Sequence, residues 1–60
     1  MQDCWTAAMD VIVAGFAIDD EYFTGDFDSV REMIEAVQDD YVAKFGDVVT
    51  FDISLNPLNV

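Results

Sequence analysis

SVREMIEAVQDDYVAKFGDVVTFDISL, residues 29–55, changes its hydrophobic period at Gly46, and that change decides the fold. Before the glycine, Val30, Ile34, Val37, Tyr41 and Phe45 recur at helical spacing, with Met33 and Val42 widening the stripe. This predicts an amphipathic helix over Ser29 to Phe45. Ser29 followed by Glu32 has the form of a capping box, with Asp28 as the alternative cap. Asp26 and Asp28 suit the positive end of the helix dipole, Lys44 suits the negative end, and Gly46 suits a left-handed C-terminal position. After Gly46, Asp47 to Leu55 alternates, with Val49, Phe51, Ile53 and Leu55 on one face and Val48, Thr50, Asp52 and Ser54 on the other. A half-buried strand follows from that period, and Asn56-Pro57 is expected to end it.

A lone strand leaves its backbone groups unpaired, so residues before the helix must supply partners. Asp10 to Ile18 is the candidate. Trp5, Met9, Ile12 and Phe16 also fall at helical spacing, but Gly15 and the β-branched Val11-Ile12-Val13 run favour a strand. Asp19-Asp20 is expected to form a tight turn, with Glu21 to Thr24 returning as a short second strand before a loop at Gly25. The order strand, strand, helix, strand places the last strand antiparallel beside the first. The fold class is therefore α+β: a small antiparallel three-stranded sheet, β-β-α-β, with one amphipathic helix on one face. Residues 1–60 form a single small domain. The first strand is central and apolar on both faces; its second face is left for Trp5, Leu58 and Val60, or for a second copy of the chain in a homodimer.

Composition narrows the function. Sixty residues build a thin core with little room for an enclosed cleft. Thirteen acids against Arg31 and Lys44 give a formal charge of −11, yet 53% of the residues are hydrophobic, too many for a disordered acidic tail. So few cations argue against direct binding to nucleic acid or an anionic membrane and favour a basic protein partner. The single cysteine, Cys4, has no intrachain partner, which suits a reducing cytoplasm. The longest apolar run, residues 11–18, is too short to span a bilayer.

Chemistry finds few supports. Histidine is absent, so Cys4, Ser29, Ser54 and the threonines have no histidine base. The carboxylate pairs Asp19/Asp20 and Asp39/Asp40 read as solvated surface acids, and no catalytic residue is assigned. Acids crowd residues 19–28, but an EF-hand loop with Gly25 sixth puts Tyr22 third and Arg31 twelfth, where a glutamate belongs. No metal or cofactor is expected. Asp28-Ser29-Val30 opening a helix resembles the phosphopantetheine-bearing turn of acyl carrier proteins, over three residues only; a helix cap accounts for Ser29 without a prosthetic group.

The acids themselves are the candidate functional feature. Asp28, Glu32, Glu35 and Asp39 form a stripe opposite the apolar one, with charges about 4.5–6 Å apart along the axis, comparable with neighbouring phosphates. Asp19, Asp20, Glu21 and Asp26 at the helix entrance extend it, and Asp40 lies beside it. Arg31 can pair with Glu35 and Lys44 with Asp40 at helical spacing, which leaves most of the acids uncompensated. Such concentration of one charge opposes folding, which points to a partner or, in a halophile, to high salt.

In size, charge and mixed fold the chain resembles the DNA-mimicking inhibitors that bacteriophages direct against host nucleases, the anti-CRISPR and anti-restriction proteins; the likeness is compositional and rests on no shared motif. It implies a stoichiometric inhibitor in the host cytoplasm that blocks the DNA- or RNA-binding groove of a CRISPR-Cas effector or similar nuclease. Asp19, Asp20, Glu21, Asp26, Asp28, Glu32, Glu35, Asp39 and Asp40 then stand where phosphates would lie, with Trp5, Tyr22 and Phe23 as candidate apolar anchors. The alternative is an acidic interaction or immunity-type subunit that binds a basic partner without imitating nucleic acid.

Overall fold

The computed structural model describes residues 4–58. Strands β1 (Cys4–Val13) and β2 (Phe16–Gly25) form a hairpin, helix α1 (Phe27–Phe45) crosses back, a short 3-10 turn covers Gly46–Val48, and strand β3 (Val49–Leu58) follows. The sheet is antiparallel in the order β2-β1-β3, so the first strand is central and the last lies beside it. The α+β class read from the sequence is the one observed.

The first third differs in its breaks. Residues 10–18 are not one strand: Ala14-Gly15 forms a two-residue turn between the paired Val13 and Phe16, with φ of 51° at Ala14 and 88° at Gly15. Positive φ at both positions matches the twist of a hairpin, and Gly15 makes it accessible. The backbone N–H of Ala14 also donates to the Val48 carbonyl at 3.0 Å, tying the turn to the chain entering β3. Asp19-Asp20 is consequently not a turn but lies inside β2, which runs ten residues rather than the four of Glu21 to Thr24. Val11 pairs with Asp19 and Ile12 with Ala17, leaving Ile18 as a bulge.

The helix begins two residues earlier than Ser29. Asp26 is its cap: its Oδ1 accepts from the Ser29 backbone N–H at 2.8 Å, so Ser29 serves as donor and neither it nor Asp28 caps. A carboxylate capping from one turn earlier satisfies an otherwise unpaired N–H, as Ser29 would have done from its own position. At the other end Gly46 adopts φ 70° as the spacing anticipated. β3 starts at Val49, not Asp47, and runs through Asn56-Pro57 to Leu58. Proline is tolerated there because β3 is an edge strand, where one side needs no ladder donor.

The helix lies on one face of the sheet. Ala7, Met9 and Val11 of β1, Phe23 of β2, Val30 and Ile34 of α1 and Val49 of β3 form the core, flanked by half-buried Trp5, Val13, Val37, Tyr41 and Phe51. Removing side chains such as Met9, Val11 and Val30 from water contributes about 1.5–3 kcal/mol each. Trp5 packs edge-on against Phe27, centroids 5.3 Å apart, and so belongs to the helix side rather than covering the other face. The second face of β1 is open: Asp10 is exposed, and Leu58, opposite Cys4, is itself 41% exposed. Val60 lies outside the described residues. The body measures 41 × 17 × 12 Å, a slab one sheet and one helix thick.

Candidate functional site

The described elements carry acids on three surfaces. On the outer face of α1, Asp28, Glu32, Glu35 and Asp39 are all exposed, as is Asp40 to one side. These positions follow directly from helix geometry, because Val30, Ile34, Val37 and Tyr41 turn toward the sheet. Arg31 Nε lies 3.7 Å from Glu35 Oε2, with both side chains about two-thirds exposed, a loose ion pair that leaves the carboxylate open to a competitor. The pairing of Lys44 with Asp40 does not form; Lys44 Nζ instead sits 5.8 Å from the centre of the Tyr41 ring.

The second surface is the edge where β2 meets the helix. Tyr41 donates its hydroxyl proton to Asp19, and Glu21 Oε2 lies 3.5 Å from the same hydroxyl. That contact, with the Asp20 backbone N–H on Asp19 Oδ1 at 2.9 Å, holds the Asp19 carboxyl below its usual range. The same bond to Asp19, with desolvation and the two neighbouring charges, pushes the Tyr41 hydroxyl up to about 12. Asp19 and Glu21 are therefore engaged with Tyr41. Asp26 is likewise committed: the Ser29 N–H it accepts lowers its pKa.

The third surface is the open face of the sheet, and it holds acids that the sequence reading left out. Asp10 stands opposite Asp20 on β2 and opposite Asp52 on β3, so three carboxylates cross all three strands in one row. Like charges directly opposite one another destabilise a sheet. Tyr22, 75% exposed, donates its hydroxyl to Asp20 Oδ2 at 3.3 Å, and the Asp20 charge raises its pKa. A shallow recess of about 360 Å³ lies here, lined by Asp10, Ala17, Ile18, Asp19 and Asp20. No cation stands on any strand, because Arg31 and Lys44 are both on α1.

The structure thus divides the nine predicted acids. It keeps Asp28, Glu32, Glu35 and Asp39 together with Asp40 nearby, sets Asp19 and Glu21 beside Tyr41, gives Asp26 to the cap, and turns Asp20 to the opposite face. Of the candidate anchors, Phe23 is buried in the core and Trp5 half-buried, leaving Tyr22 as the exposed one. Among the described residues no group of three or more cysteines, aspartates and glutamates is placed to hold a metal ion, and no helix is long and apolar enough to cross a membrane. The chain matches no family model, and no curated protein and no solved structure matches it.

Proposed function

We propose that the chain is a stoichiometric inhibitor that occupies the basic nucleic-acid-binding groove of a host defence nuclease, a CRISPR-Cas effector in particular, with carboxylates in the place of phosphates. The observation that carries this reading is the outer face of α1, where Asp28, Glu32, Glu35 and Asp39 stand exposed in one row against a single loose cation. Arginine recognises carboxylates and phosphates with the same planar fork, so a groove built for a nucleic acid strand accepts such a row. The net charge of −11 steers the chain toward a basic surface and accelerates encounter, an effect that fades with salt. The thin slab and its free helix face suit insertion into a groove. The experiment is capture of proteins from a bacterial host lysate on the immobilised chain, followed by a challenge with duplex DNA at moderate salt. Release of a captured nuclease by DNA is expected; a captured partner that DNA leaves in place overturns the mimic and favours the interaction-subunit reading.

A further inference from the structure

We infer that β3 is a self-association edge, where two copies of the chain join antiparallel into one six-stranded sheet with Ser54 at the twofold axis. This goes beyond the function proposed above and rests on different residues.

The two edges of the sheet are built differently. β2 carries the bulge at Ile18 and the consecutive acids Asp19, Asp20 and Glu21, devices that keep other strands away. β3 has neither: its ten residues pair with β1 from Val49 to Leu58 without a register shift, Asp52 is its only charge, and its one blunting residue, Pro57, stands next to its end and leaves Val49 to Asn56 regular. A long, regular, weakly charged edge presents a row of unpaired backbone groups to any strand that fits it.

The helix also leaves this edge partly bare. Along the helix-side face of β3, Val49 is buried and Phe51 half-buried, but Ile53 is 41% and Leu55 36% exposed. A second β3 placed antiparallel about Ser54 sets Ile53 opposite Leu55 of the other copy, and Leu55 opposite its Ile53. On the open face, Asp52 meets Asn56 and Thr50 meets Leu58, so the one charge on the strand faces a neutral amide rather than its own copy. Directly opposite residues share a face, so both helices sit on the same side of the joined sheet, flanking one apolar strip made from Ile53 and Leu55 of both copies. The acidic rows of α1 stay outside the junction. The match of this edge to itself selects a second copy as its occupant.

The test is disulfide trapping. Opposite residues in an antiparallel pair lie about 4.5–5.5 Å apart at Cα, within the range a disulfide spans. In a Cys4→Ser background, Ser54→Cys is expected to form a covalent dimer under mild oxidation, while a cysteine at Ala36 on the helix does not. Sedimentation of the unmodified chain over a dilution series is expected to show a reversible dimer that strengthens between about 0.05 M and about 0.5 M salt, since screening relieves repulsion between two acidic chains. Ile53→Lys is expected to be monomeric with an unchanged circular dichroism spectrum. A monomer at every concentration and salt overturns the proposal, as does trapping at Ile53→Cys in preference to Ser54→Cys. Binding to a basic groove weakens with salt, so failure of this inference and failure of the inhibitor reading appear with opposite salt dependence.

Discussion

Tyr41 reaches from α1 across the edge of the sheet and donates its hydroxyl proton to Asp19 on β2. Glu21 Oε2 lies 3.5 Å from the same hydroxyl, so among the described residues the side-chain hydrogen bonds that join the helix to a strand both converge on Tyr41, and they use acids that sequence alone assigns to a partner surface.

Its pH dependence has a defined sign on both sides. Asp19 is lowered from its ordinary value of 3.8, so its contribution is present above that value and is lost as pH falls through the depressed one. Tyr41 is raised from 10.0 to about 12, so its contribution is complete below pH 10.0 and is lost as pH climbs toward 12. Tyr41→Phe is expected to lower stability between these limits and to flatten the acid and alkaline limbs of the stability profile. Urea midpoints measured across pH for both proteins check it; parallel profiles would remove the hydrogen bond from the account.

The hairpin turn predicts a gain. Ala14 holds φ at 51°, a conformation that costs a residue with a Cβ about 1–2 kcal/mol, and Asn-Gly is the preferred pair for such a turn. Ala14→Asn leaves the backbone N–H on Val48 in place and is expected to stabilise the fold by about 0.5–1 kcal/mol in urea denaturation. A loss of stability would mean that the turn is of another kind.

The row Asp20, Asp10 and Asp52 predicts that its central member opposes folding. Asp10→Asn removes two directly opposed like-charge pairs and is expected to stabilise by roughly 0.5–1 kcal/mol at low salt. Thermal melts in low and high salt separate the causes: the gain shrinks as salt screens the charges. A gain independent of salt would assign it to something other than charge.

Helix α1 and strand β3 were legible because each has one apolar face and therefore one period, 3.6 before Gly46 and 2 after it. The first third was not, because Val11 to Ile18 is apolar on both sides of a turn that lacks the usual Asn or Asp, and Gly15 read as an interruption within a strand. Asp19-Asp20 then looked like the turn that Ala14-Gly15 makes. The helix acids were legible for the same reason as the helix. The row through Asp10 and Asp52 was not, since it depends on registers between strands that no local pattern contains. The partnership of Asp19 with Tyr41 joins positions far apart in the chain and is equally invisible along it.

The central claim is that the outer face of α1 does the work of phosphates, and one triple variant tests it. Glu32→Gln with Glu35→Gln and Asp39→Asn removes three charges from exposed positions, so the fold is expected to persist with equal or higher stability. Capture of the DNA-displaceable nuclease from host lysate by this variant, compared with the unmodified chain, is the deciding measurement. The account predicts that capture is lost while the circular dichroism spectrum is unchanged; a folded variant that captures the nuclease as well as the original would contradict it.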